Sequence, residues 1–183
     1  LFYSQLDKKA LLIDDRMNGG GNVSPMILER LQRHVYRMTM SRNGRNNTVP
    51  NEAHYGPKLC LIDKYSMSDG DLFPYGFREV GLGKLVGTRT WGGIVGISGS
   101  RNFLDGQDLR TPFFTSYSVN GDWIVENKGV TPDEVVDINP FDDYLDKDAQ
   151  LIRGVELLTQ EMKNYPDLPG TPADPVRVVD PNK

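Results

Sequence analysis

Two short apolar runs, Leu11-Leu12-Ile13 and Leu59-Cys60-Leu61-Ile62, each give way to a turn and then to a helical pattern. A short run without polar alternation suits a buried strand, and strands that alternate with helices build largely parallel sheets. The expected order is a strand over 10–15, a helix opening at Ser24-Pro25, a strand over 58–63, a helix over about 69–81 and a strand over 84–88. Ser24 suits the N-cap and Pro25 the first helical position. Ile27, Leu28, Leu31, Val35 and Met38 recur at helical spacing, which predicts a helix reaching Met38. Residues 41–57 are polar and rich in breakers, so they read as a loop. Pro74 conflicts with the second helix, because an interior proline removes a hydrogen bond and costs about 3 kcal/mol. A kink there, or a regular helix starting at Pro74, is expected.

From Gly92 the texture changes. Asp105-Gly106 and Asn120-Gly121 signal hairpin turns between β-prone segments, and 148–163 reads as an amphipathic closing helix. Pro166, Pro169, Pro172 and Pro175 exclude a helix after Tyr165. The chain therefore divides into an α/β core over 1–165 and a Pro-rich tail over 166–183, extended over a surface or a neighbouring subunit. A net charge of -4 provides no basic footprint for nucleic acid. No apolar stretch approaches the roughly 20 residues of a membrane span. The chain opens on Leu1 rather than Met, so its natural start is expected upstream and its compartment stays open. Cys60, the sole cysteine, reads as a buried structural thiol. Without CxxC or HExxH, and with two histidines in unrelated contexts, the sequence implies no metal site.

The chemistry concentrates at two strand ends. Ser68 lies between the strand over 58–63 and a helix, where a turn exposes Oγ and free N–H groups at the helix start can stabilise an oxyanion. Asn18-Gly19-Gly20-Gly21-Asn22 follows the first strand with almost no side chain to cover its amides. The N–H of Asp69 and one from Gly20 or Gly21 are natural oxyanion donors, and acyl transfer needs such donors beside its nucleophile. The glycines lack the GxGxxG and GxxxxGK[ST] spacings, which argues against a nucleotide. Glu126 emerges at a strand end after the Asn120-Gly121 turn, where a carboxylate can orient a base. The base itself is missing. His34 reads as a mid-helix residue with a surface or packing role, and His54 as a solvated loop residue. Each feature alone has an ordinary reading, such as an N-cap for Ser68 or a tight turn for the glycines; their combination favours catalysis.

The segments Leu-Ile-Asp-Asp-Arg-Met-Asn-Gly-Gly-Gly (12–21), Met-Ser-Asp-Gly-Asp (67–71), Gly-Leu-Gly-Lys-Leu-Val-Gly-Thr-Arg-Thr-Trp-Gly-Gly (81–93) and Val-Glu-Asn-Lys-Gly-Val-Thr-Pro-Asp (125–133) resemble the catalytic core of tricorn-type serine peptidases, among the tail-specific (carboxy-terminal processing) proteases. The four blocks keep the family's order across roughly residues 8–165. The resemblance implies Ser68 as nucleophile, Gly21 and Asp69 as the oxyanion hole, and Glu126 as the acid of a Ser-His-Ser-Glu tetrad. It implies that the histidine and second serine lie upstream, before a PDZ-like region, with peptide or unfolded-protein substrates, no cofactor and possible homo-oligomers. The implied fold is a ClpP/crotonase-like layered spiral of βαβ units with a β-rich second half and a C-terminal helix. Where Ser-Lys members of the family carry Thr-Phe-Gly-Lys, this chain has Thr90-Trp91-Gly92-Gly93, so the dyad is unavailable. The loop over 38–42 lacks the acidic residue that in the tricorn type helps select basic side chains. Two rivals stand beside the peptidase: a non-catalytic peptide-binding scaffold, which the missing histidine favours, and a crotonase-type acyl-CoA enzyme, for which a nucleophilic serine is atypical.

Overall fold

The computed structural model describes residues 2–173. A short 3-10 helix over Phe2–Gln5 precedes strand β1 (Leu11–Asp14), helix α1 (Ser24–Leu31), the antiparallel pair β2 (Arg37–Thr39) and β3 (Asn47–Val49), β4 (Lys58–Ile62) and α2 (Asp69–Glu79). There follow β5 (Gly83–Gly87), the hairpin of β6 (Gly96–Asn102) and β7 (Asp108–Phe114), β8 (Glu134–Val135), a short α3 (Pro140–Tyr144) and α4 (Ala149–Asn164). The main sheet is parallel throughout, in the order β1-β4-β5-β8. This is the mixed α/β architecture that the alternation of strands and helices implies.

Every residue of β4 is buried, which is why its sequence shows no polar alternation. Successive side chains still point to opposite faces. Cys60 and Ile62 pack with Leu31 of α1, Phe73 and Phe77 of α2, and Leu85 of β5. Leu59 and Leu61 pack with Leu157 and Leu158 of α4, and Val86 of β5. The sheet is thus the middle of three layers, with α1 and α2 on one face and α4 on the other. Each such buried side chain contributes roughly 1.5–3 kcal/mol. β1, at the sheet edge, is only half-buried rather than the buried strand its apolar residues suggest.

Several expectations need correction. α1 ends at Leu31, so the helical spacing through Val35 and Met38 is coincidental. Met38 lies instead in β2, paired with Thr48, and the Tyr36 N–H donates to the Val49 carbonyl (3.1 Å). Pairing with a strand inside the expected 41–57 loop overrides the local pattern. His34 consequently lies between α1 and β2, exposed, rather than in mid-helix. Ser24 belongs to α1 itself and the capping position falls on Val23. α2 runs continuously on both sides of the buried Pro74. His54 is buried, at 3% exposure, and is not a solvated loop residue.

Other expectations hold. Cys60 is buried. Asp105-Gly106 lies between β6 and β7, and around Asn120-Gly121 the Ser118 N–H donates to the Asp122 carbonyl (2.8 Å). Asp148 caps α4 by accepting from Leu151 N (2.9 Å). The tail is non-helical as far as residue 173, and Asn46 Nδ2 donates to Thr171 Oγ1 (2.8 Å); Pro175 and the rest lie outside the described residues.

Candidate active site

β1 and β4 run parallel and release their following loops at the same edge of the sheet, the edge at which open α/β sheets place ligands. The loop after β4 is shaped by Asp63, whose Oδ1 accepts from the N–H groups of Met17, Tyr65 and Ser66, each at 3.0 Å. Ser66, fully buried, donates its hydroxyl to the Asp15 carbonyl (2.8 Å). The Met67 N–H donates to the Asn18 carbonyl (2.9 Å). Three residues of one loop, Asp63, Ser66 and Met67, thus fix it against the glycine-rich loop of the other strand.

Ser68 then takes φ 57° and ψ −114° before α2 begins at Asp69. Positive φ with this ψ lies outside the left-handed helical region and costs a non-glycine residue about 1–3 kcal/mol. The surroundings hold it there: the Ser68 N–H donates to the Gly93 carbonyl (3.1 Å), and its own carbonyl accepts from Asp71 N and Leu72 N, both at 3.0 Å. Ser68 remains partly exposed.

The glycine-rich loop lies directly against this serine. A Cβ on Gly20 would sit 2.8 Å from Ser68 Cβ and 3.2 Å from Ser68 Oγ. A Cβ on Gly70 would meet the Asn18 carbonyl oxygen, so the loop packs on the first turn of α2 only because that position is bare. Asn18 also receives the Gly20 N–H on Oδ1 (3.0 Å), which commits that amide. Among the described residues neither the Gly21 N–H nor the Asp69 N–H has an acceptor. The Asp69 carboxylate reaches back to the start of α1 and accepts from Val23 N (2.9 Å) and Ser24 N (3.1 Å). It therefore caps α1 from another element, the task expected of Ser24.

Asp15 lies beneath the loop, accepting Asn18 Nδ2 on Oδ1 (2.8 Å), with no partner for Oδ2 among the described residues. Burial pushes its carboxyl up to about 7, opposed by the Asn18 hydrogen bond and reinforced by Asp69 nearby.

Glu126 sits in a second strained turn. Val125 has φ 60° and Asn127 φ 59°, and the Glu126 N–H returns to the Ile124 carbonyl, a γ-turn of the rare positive-φ kind. For a β-branched valine such a φ is a genuine outlier. The Glu126 carboxylate accepts from Ile94 N (2.7 Å) and Val95 N (3.1 Å) through Oε2. Ser68 and Glu126 do not touch; they grip adjacent residues of one segment, Gly93 and Ile94. A Cβ on Gly93 would meet the ring of Trp91, an exposed side chain that would have to swing aside to admit it.

Neither histidine joins this group. His54 precedes β4 and Ser68 follows it, so they belong to opposite ends of a strand some 17 Å long. Burial and nearby Lys58 lower the His54 pKa, which disfavours the charged ring. Among the described residues, no group of three or more His, Cys, Asp or Glu side chains could hold a metal ion, and no helix is long and apolar enough to cross a membrane. A cavity of about 630 Å³ opens beside the turn, lined by Arg16, Met17, Asp63 and Tyr65, without Ser68. Sequence reasoning missed Asp71, Asn18 and Gly70. The Ser-x-x-Asp spacing of a helix start was the available signal for Asp71.

The sequence pattern of Peptidase family S41 matches residues 2–136. The Tricorn protease of Thermoplasma acidophilum is 37% identical over 174 residues, which cover 94% of this chain and 16% of that protein. Tricorn protease homolog 1 of Streptomyces coelicolor is 32% identical over 162 residues, covering 88% of this chain and 15% of the relative. The crystal structure of the tricorn protease superposes with a TM-score of 0.85 at 37% identity, over 90% of this chain and 16% of that one. The photosystem II D1 C-terminal processing protease, at 21% identity over 85% of this chain and 40% of its own, shares the fold with a TM-score of 0.51. This chain thus spans only about a sixth of the length of the tricorn relatives.

Proposed function

The chain belongs to peptidase family S41, and from that premise we propose that it carries the catalytic half-site of a serine peptidase with Ser68 as nucleophile. The observation that carries the proposal is the conformation of Ser68. A partly exposed serine in a strained strand-to-helix turn, beside two uncommitted N–H groups, has the arrangement of a nucleophile elbow.

In the proposed reaction, Ser68 Oγ attacks the carbon of the scissile amide. Its proton passes to a histidine from a region upstream of this chain. The carbonyl oxygen gains negative charge and is met by the N–H groups of Gly21 and Asp69, a contribution worth about 10²–10³ in rate per donor. Collapse breaks the C–N bond, the histidine returns the proton to the leaving amine, and an ester remains on Ser68. Water then repeats the sequence and frees the acid. The commitment of the Gly20 N–H to Asn18 supports Gly21 as the loop's donor. Glu126, with Oε2 spent on Ile94 and Val95, keeps Oε1 for orienting the base through the second serine of the tetrad. The glycine at position 93, where Ser-Lys members of the family carry their lysine, supports this version over the dyad.

The finer fold is a ClpP/crotonase-like spiral with its core over 1–165 and a tail beyond. Substrates are peptides or unfolded segments, the whole protein pairs this core with PDZ-like and histidine-bearing regions, and it assembles with copies of itself. No acidic side chain lies at 38–42, which leaves a preference for basic residues without the acidic partner the tricorn type uses and the side-chain preference open. The separation of both histidines from Ser68 favours a second reading, a binding scaffold, for this chain in isolation. Ser68→Ala in the full-length protein separates the two. Loss of peptide turnover with an unchanged melting temperature is expected, and unaltered turnover overturns the assignment.

A further inference from the structure

We infer that Asp71 is the positioning residue that couples the nucleophile turn to the Glu126 turn; the inference rests on the role of Ser68 proposed above. Asp71 is fully buried, with 0% exposure, in the first turn of α2. Its carboxylate accepts three backbone N–H groups: Gly92 on Oδ1 (2.8 Å), and Gly93 (3.1 Å) and Ser68 (3.1 Å) on Oδ2. The last two meet on one oxygen. Ser68 N–H also donates to the Gly93 carbonyl, so residues 68, 71 and 93 form a closed cycle of hydrogen bonds.

The cycle has a consequence for geometry. The strained φ of Ser68 persists only while its N–H keeps its direction, and both acceptors of that N–H lie within the cycle. On its far side the cycle holds Gly92 and Gly93, and the next two amides, Ile94 and Val95, are held by Glu126. The Asn127 N–H closes onto the Gly92 carbonyl (2.7 Å). One backbone segment, 92–95, is therefore gripped by two carboxylates, and the distance between nucleophile and orienting acid is set through it. A negative carboxylate in the first helical turn is also favoured by the helix dipole, which lowers the cost of its burial. Asp71 never needs to touch substrate to govern the rate, because misplacing a reacting group by about 1 Å costs on the order of 10²-fold.

The test uses the full-length protein. Asp71→Asn keeps the shape but puts an NH₂ among three N–H donors. The expected result is a kcat lower by about 10²-fold, KM for a peptide within about twofold of wild type, and a parallel drop in the rate of fluorophosphonate labelling. A buried prop without a positioning role gives a different pattern: a lower melting temperature with normal kcat per folded molecule, and that result overturns the inference. If Asp71→Asn does not fold, Asp71→Glu retains the charge while displacing it by one methylene, and the same kcat-specific loss is expected; normal kcat there also overturns it. Ser68→Ala is measured alongside. Turnover that survives Ser68→Ala removes the premise and the inference with it, whereas a dead Ser68→Ala beside a normal Asp71 variant refutes the inference alone.

Discussion

Gly20→Ala reports on how closely the glycine-rich loop is seated against Ser68. The added Cβ would lie 2.8 Å from Ser68 Cβ, whereas carbon atoms in contact sit about 3.5–4.0 Å apart, so the two residues must separate by roughly 0.7–1.2 Å. The backbone resists as well. Gly20 has φ 111°, a conformation that costs an L-residue about 1–3 kcal/mol. For a chain of this size that corresponds to a melting temperature lower by about 2–4 °C per kcal/mol. The catalytic effect should be larger, because a displacement near 1 Å at the reacting groups costs on the order of 10² in turnover. Thermal melting followed by circular dichroism, together with kcat in the full-length protein, measures both. Gly19→Ala is the control: nothing lies within 4 Å of its Cβ, and stability is expected to change by less than about 0.5 kcal/mol. A Gly20→Ala enzyme with normal kcat, or a Gly19→Ala enzyme equally damaged, refutes this seating.

Asp15 titrates at about 7 in the folded chain and near its usual 3.8 when unfolded, so between those values the folded state holds the extra proton. Stability contributed by the protonated carboxyl is complete below pH 3.8 and is lost as pH rises to about 7. Asp15→Asn should flatten the fall in stability from pH 5 to 8 and raise stability at pH 8, as read by urea melts across pH; an unchanged slope contradicts the burial argument. Glu126→Gln should reduce kcat with little change in KM, because it acts on the orientation of the base. An effect confined to KM, measured by steady-state kinetics, contradicts that role.

The readable parts of this fold are those in which one local pattern has no competitor. The Leu59–Ile62 run is apolar because both faces are covered, and Asp105-Gly106 turns a hairpin by its own chemistry. Met38 was misread because helical spacing and a strand partner compete there, and Thr48, the partner, is ten residues away. His54 looked solvated because its neighbours are polar, yet the chain folds it under residues 8–9 and against Gly56. At the candidate site, Ser68 and the glycines were visible as residue types on turns. The γ-turn at Val125 was not, since valine is among the residues least suited to positive φ and only tertiary bonds to 92–95 impose it. Asp71 carried a legible signal in its spacing from Ser68, but its two glycine partners lie more than twenty residues downstream.

Fluorophosphonate labelling tests the role of Ser68 most directly, applied to the full-length protein and to this chain alone, with the modified residue located by mass spectrometry. Modification of Ser68 in the full-length form, and its absence in the isolated chain, is the expected result for a nucleophile whose base comes from upstream. Full-length protein that turns over peptides while Ser68 stays unlabelled would contradict it.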